Sequence, residues 1–173
     1  MTPTDVATLL ANTPNSLRQL LATVDDATAT WKPSPDAWCI NEVIGHLIWA
    51  DEWAFAKRIE VMIAEYPTGH EVRLEPLDVN AAAAARHDCQ KRLADVLDEF
   101  TESRAKYVSY VQSLDPKLLN RSASYKHYGL FLASDFLYEW PFHDYGHVQQ
   151  IMKNLRKRML PHMSEVMRVA LEN

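Results

Sequence analysis

Four long stretches of this chain repeat their apolar residues every three to four positions, and no stretch alternates as a half-buried strand would. The first runs from about Thr4 to Val24, with Val6, Leu9, Leu10, Leu17, Leu20, Leu21 and Val24 on one stripe. Thr2, Pro3 and Asp5 supply an N-cap, a first-turn proline and an acidic third residue, the ordinary start of a helix. Pro14 lies inside the stretch and predicts a bend, because it removes a backbone donor and crowds the preceding turn. A loop over Asp25 to Asp36 follows, marked by Pro33-Ser34-Pro35 and bracketed by Trp31 and Trp38, which are read as covering one end of the core.

The second helix is expected from Ile40 to Ala64, with a wide apolar stripe from Ile40 and Val43 to Met62 and Ile63. Tyr66-Pro67-Thr68-Gly69-His70 closes it. The longest periodic stretch, Val79 to Leu114, begins with five consecutive alanines, the best helix former. Lys117 to Leu132 reads as an irregular but aromatic connection, carrying Tyr125, His127, Tyr128 and Phe131. Ser134 or Asp135 then caps a last long helix that ends near Arg158, and Pro161 opens a short C-terminal helix. These segments predict one domain over residues 1–173: an all-α four-helix bundle with a crossover connection and a short C-terminal helix.

Composition narrows the function. The net charge of −5 argues against a nucleic-acid partner, which calls for a basic face. No run of eighteen apolar residues exists, so no membrane span is expected. Met1 to Asp5 lacks the basic and apolar regions of a signal peptide, so the expected location is cytoplasmic. In that setting Cys39 and Cys89 are expected as reduced thiols.

The chemistry-bearing stretch is Pro141-Phe142-His143-Asp144-Tyr145-Gly146-His147. His143 and His147 are four residues apart and so share one helix face. His46 stands at the edge of the apolar stripe of the second helix, among large aromatics. Facing helices of a bundle can each send side chains into a metal site, and three imidazoles leave coordination positions for water or substrate. Glu42 and Glu139 each precede one of these histidines by a turn and are candidates to orient an imidazole or accept a proton. Salt bridging at the bundle rim suits both equally well. Trp49, Trp53, Trp140 and Tyr145 could wall a pocket or simply fill the core. His70, His87 and His162 are read as surface residues, and nothing fixes the place of His127.

Trp38-Cys39-Ile40-Asn41-Glu42-Val43-Ile44-Gly45-His46-Leu47 resembles the W-S-I-x-E-V-L-x-H-L segment of the DinB/YfiT-like superfamily. His143-x-x-x-His147 followed by Val148-Gln149-Gln150-Ile151 resembles that family's H-x-x-x-H-x-x-Q-I ending. The resemblance extends over most of the chain. It implies a four-helix bundle in which His46, His143 and His147 ligate a divalent metal, commonly zinc or nickel, and it implies a homodimer. It further implies a metal-dependent transferase that joins a low-molecular-weight thiol to small electrophiles. The alternatives are a metal-dependent hydrolase and a non-catalytic, stress-associated metal-binding bundle. One departure stands out: Cys39 replaces the serine that would cap the second helix. A thiol is a poor acceptor, so Asn41 is expected to take over the cap and move the helix start by two residues.

Overall fold

The computed structural model describes residues 1–64 and 70–172. Its first helix, α1 (Pro3–Leu20), starts with the expected capping box: Asp5 N–H donates to Thr2 Oγ1, and Thr2 N–H donates to Asp5 Oδ2. Pro14 is buried within it. A single turn, α2 (Asp26–Ala29), sits in the following loop. The second long element is continuous but changes character: α3 (Ile40–Ala50), a π-helical segment over Asp51–Ala56, then α4 (Lys57–Ile63). Residues 65–69, where the sequence places the end of this helix, lie outside the described residues.

The stretch expected as one helix from Val79 to Leu114 is two, α5 (Val79–Arg86) and α6 (Leu93–Ser113). His87 adopts the left-handed conformation between them (φ 53°), and a 3₁₀ turn over Asp88–Gln90 follows. The alanine run propagates a helix well, but a left-handed residue ends one. Two three-residue strands, β1 (Ser122–Ser124) and β2 (Leu130–Leu132), pair antiparallel within the connection read as irregular. Segments that short carry no readable alternation. The longest helix is α7 (Ala133–Met159), whose Asp135 accepts the Leu132 N–H, so the cap is Leu132 rather than the expected Ser134 or Asp135. A 3₁₀ turn and α8 (Glu165–Glu172) end the described chain.

α1, α3–α4, α6 and α7 make the four-helix bundle. Cross-contacts give its directions. Arg18 bonds Asp98 while Arg104 reaches the Leu10 carbonyl, so α1 and α6 are antiparallel. Asn154 donates to the Trp38 carbonyl while Phe55 stacks on Trp140, so α3–α4 and α7 are antiparallel too. α3 runs parallel to α6, since Asn41 bonds Lys91 and Asp51 bonds Arg104.

The core comprises two apolar clusters. One gathers Leu10, Phe55, Ile59, Tyr107, Leu137 and Trp140; the other gathers Leu17, Val43, Leu47, Val96, Phe100 and Ile151. Between them lies a buried charged layer. Arg104, from α6, donates to Asp51 (Nε to Oδ2, 3.0 Å) and to Asp144 of α7 (Nη2 to Oδ1, 3.0 Å, and Nη1 to Oδ2). Thr13 of α1 donates to Asp144 at 2.7 Å, and Trp140 Nε1 donates to Asp51 at 2.8 Å. Every bundle helix thus contributes a group. Burial pushes the Asp51 carboxyl up to about 6, against the pull of Arg104 and with the push of Asp144. Burial alone would lower Arg104, but the two carboxylates hold it firmly charged.

Removing the cation leaves two carboxylates without their counter-charge, a change that costs about 3–5 kcal/mol in buried pairs. Arg104→Met is therefore expected to lose about that much stability at pH 7.5 by urea unfolding. Asp51 has a folded pKa above its unfolded value, so its contribution to stability is full at low pH and is lost as pH rises through about 6. The deficit of Arg104→Met should accordingly shrink as pH falls toward 5. A deficit independent of pH would contradict this assignment of charge.

Candidate metal centre

The first turn of α3 is built by Cys39 and Glu42. Glu42 N–H donates to Cys39 Sγ at 3.4 Å, and Cys39 N–H donates to Glu42 Oε2 at 2.9 Å. The expected shift of the cap to Asn41 does not occur, because the reciprocal carboxylate bond compensates for the weak sulfur acceptor. Asn41 instead donates to the Asp88 and Lys91 carbonyls and so ties the 88–91 turn to α3. Cys39 and Cys89 are joined in a disulfide across this junction, with Cα atoms 6.6 Å apart, rather than standing as two reduced thiols. The left-handed turn at His87 is what delivers Cys89 to the helix start. Asp88 beneath it pairs with Arg86 and Lys91. A Cβ on Gly45 would lie 1.8 Å from Asp88 Oδ2, so only glycine fits immediately before His46.

Three histidines meet between α3 and α7. His143 Nε2 lies 3.1 Å from His46 Nε2 and 3.1 Å from His147 Nε2. Nitrogen-to-zinc bonds of about 2.0–2.1 Å in a tetrahedron put two ligand nitrogens about 3.3 Å apart, so the observed spacing is that of donors around one ion. Gln150 Oε1 lies 2.8 Å from His147 Nδ1. An amide oxygen only accepts, so Nδ1 carries the proton and Nε2 presents its lone pair to the other two rings. His143 Nδ1 is buried with no hydrogen-bond partner among the described residues. Burial pushes His46 and His143 down to about 3 and lowers His147 as well, with neighbouring positive charge adding to the first two. All three imidazoles are thereby neutral near pH 7, the form that binds metal. Three neutral nitrogens on facing helices fit a divalent ion and leave part of its coordination shell open.

Aromatic rings enclose the cluster. Trp38 tilts against His46 with centroids 4.9 Å apart and stacks on His147 at 6.4 Å; Trp49 stacks on His46 at 5.9 Å; Phe55 meets His143 edge-on at 5.2 Å. The π-helical segment after His46 inserts extra backbone into that turn, and both Asp51 and Phe55 face inward from it. A cleft of about 410 Å³ is lined in part by Trp38, Asn80, Gln150 and Lys153; Trp38 and Gln150 stand between it and His147, which does not itself line it.

The other sequence candidates are placed elsewhere. Glu42 is committed to the cap and to Lys32 Nζ at 2.8 Å. Glu139 is exposed and lies in the field of Arg58 and Asp135, its carboxyl raised by the surrounding protein. Trp140 is a core residue stacked on Phe55, Tyr145 faces outward, and Trp53 is exposed beneath the Lys57 ammonium. The aromatic connection bearing His127 is clamped against the start of α4, where Arg58 lies over Tyr125. Two of the enclosing residues are not among the sequence candidates: Trp38, expected to cover one end of the core from its place at the loop, and Phe55, on the apolar stripe of the second helix. The signal for Trp38 was its place immediately before the cap of the helix that carries His46.

The DinB superfamily profile matches residues 9–151. No curated protein sequence matches the chain. Among solved structures, YfiT from Bacillus subtilis, described as a probable metal-dependent hydrolase with an unusual four-helix bundle topology, superposes with a TM-score of 0.72 at 15% identity, covering 90% of this chain and 87% of that one. A conserved protein from Enterococcus faecalis gives 0.63 at 14% identity, covering 91% and 97%. A mycothiol-dependent maleylpyruvate isomerase gives 0.59 at 14% identity, covering 85% of this chain and 59% of that one.

Gln150 fixes the tautomer of His147, and such outer partners typically contribute 10–100-fold to metal affinity. Gln150→Leu is expected to weaken divalent-metal binding by about that factor in a competition titration with a chromogenic chelator. Unchanged affinity would show that the hydrogen bond does not set the ligand. With the three converging histidines and the bundle on which they stand, this chain belongs to the DinB superfamily.

Proposed function

We propose that this protein is a metal-dependent thiol S-transferase, joining a low-molecular-weight thiol to a small electrophile. The observation that carries the reading is the composition of the site: three neutral imidazole donors, with Glu42 committed to the helix cap and Lys32 and with Glu139 exposed and outside the cluster. A divalent ion held there, zinc or nickel, supplies Lewis acidity and lowers the pKa of a thiol that binds it. A thiol loses its proton to bulk water on such binding and needs no protein base. Water is far less acidic than a thiol at the outset (pKa about 15.7 against about 8.5), so it yields its proton to the same ion less readily.

The chain's own residues do the rest. His46, His143 and His147 offer lone pairs because burial keeps them neutral. Gln150 orients His147, and Trp38, Trp49 and Phe55 exclude water around the cluster. The cleft lined by Trp38 and Gln150 gives a small molecule room to bind next to the residues that contact His147. In the overall reaction a sulfur–carbon bond forms, the electrophile's leaving group departs with its electron pair, and the thiol proton goes to solvent. The likeness in fold to a mycothiol-dependent isomerase supports a thiol as the partner. The likeness to YfiT supports the second reading, a metal-dependent hydrolase.

The test loads the protein with zinc or nickel and supplies monobromobimane or a chloro-aromatic, with and without bacillithiol, mycothiol or glutathione. The expected result is thiol-dependent loss of the electrophile, reduced at least about a hundredfold in His143→Ala, as for removal of a group that holds the reacting centre. Turnover of activated esters without thiol would establish the hydrolase reading instead. A thiol-dependent rate that survives His143→Ala would rule out the metal site as its source.

A further inference from the structure

The proposed chemistry makes no use of the Cys39–Cys89 disulfide, and its two halves stand in unlike places. Cys39 is fully buried. Cys89 is half-buried on the 3₁₀ turn Asp88–Gln90, a turn flanked by the exposed residues His87 and Gln90. A thiolate entering a disulfide attacks one sulfur and expels the other, so access decides which is taken. Access here selects Cys89 and makes Cys39 the leaving group.

Both sulfurs have a partner waiting in the opened state. Cys39 is the N-cap of α3, and its Sγ already accepts the Glu42 N–H at 3.4 Å. Amides at a helix N-terminus stabilise a sulfur anion, which favours departure from that side. The Glu42 carboxylate nearby is offset by Lys32 Nζ at 2.8 Å. Cys89 Sγ lies 4.0 Å from the Thr30 carbonyl oxygen, an acceptor for its thiol once the bond is open. The junction also has other ties. Asn41 donates to the Asp88 and Lys91 carbonyls, and Asp88, paired with Arg86 and Lys91, packs against Gly45. These contacts keep the two sulfurs close after the bond breaks, so Cys39 can reseal it as an intramolecular nucleophile.

We propose that Cys89 is a reversible S-thiolation site, where a low-molecular-weight thiol opens the Cys39–Cys89 bond. The thiol gives its proton to solvent and its sulfur bonds Cys89 Sγ. The bond between the two cysteines breaks, and its electron pair leaves on Cys39 Sγ, which takes up a proton. Attack by Cys39 on Cys89 reverses the step and expels the small thiol. Attack by a second small thiol on the sulfur of the first instead removes it as a small disulfide and leaves two protein thiols. Two small thiols are thereby oxidised to one disulfide as the protein bond is reduced. No step needs a metal, so the site is independent of the thiol-transfer reading.

Glutathione and its disulfide are the probes, on the full chain. Wild-type protein held in excess glutathione is quenched with acid, alkylated at low pH in denaturant and mapped by mass spectrometry. The expected product carries glutathione on Cys89 and the alkyl group on Cys39. In the opposite direction, reduced Cys39→Ser should take up glutathione from its disulfide at Cys89 at least about tenfold faster than reduced Cys89→Ser does at Cys39. In urea the two rates should converge. Circular dichroism checks that both variants fold, and the wild-type map reads the same preference without a substitution. Glutathione found on Cys39, or equal rates in the folded variants, overturns the assignment to Cys89. A wild-type disulfide that exchanges in urea but not in the folded protein overturns the site altogether.

Discussion

The guanidinium of Arg104 is the pivot of this bundle. It is fully enclosed and bonds a carboxylate on the α3–α4 element, a carboxylate on α7 and a backbone carbonyl on α1. Buried ions contribute little net stability, because their desolvation roughly cancels their attraction. What they supply is geometry, since any rotation of one helix leaves a charge unpaired. Asp144 directly follows His143, and Asp51 begins the π-helical segment one turn beyond His46. The same bonds that align the helices therefore set the two faces on which the three imidazoles meet.

A second anchor holds the other side of the site. The disulfide, the two bonds from Asn41 and the close approach of Asp88 to Gly45 fix the start of α3 against the turn after α5. His46 is thus braced from its N-terminal side by this junction and from its C-terminal side by the charged layer. Rigid placement matters for metal affinity, because ligands that must be gathered on binding lose the entropy of their ordering. The enclosing tryptophans add burial, which keeps the imidazoles neutral at the cost of their ability to take up protons.

Much of this was legible in the residues. Apolar spacing located the four bundle helices, and Thr2-Pro3-Thr4-Asp5 marked the first start because its capping chemistry is local. The histidine spacing, together with the resemblance around His46 and His143, pointed to the three residues that the fold brings together. What escaped was set by contacts between distant segments. The left-handed residue His87 breaks a stretch whose alanines favour a continuous helix, and only docking onto α3 accounts for the break. The charged layer was hidden because Asp51, Arg104 and Asp144 read as ordinary polar positions until four helices are packed. The same tertiary context sends Trp140, a candidate pocket wall, into the core and brings Trp38, expected only to cover one end of the core, against the histidines. Glu42 was a candidate for the site through its turn spacing, yet the cap and Lys32 occupy both its oxygens.

The central claim is that His46, His143 and His147 together hold one divalent ion. Elemental analysis of the purified, untagged protein beside a His46→Ala/His143→Ala variant tests it most directly. The account predicts close to one zinc or nickel per wild-type chain and none in the folded variant. Wild-type protein that stays metal-free after incubation with divalent ions, or a variant that retains the metal, would contradict it.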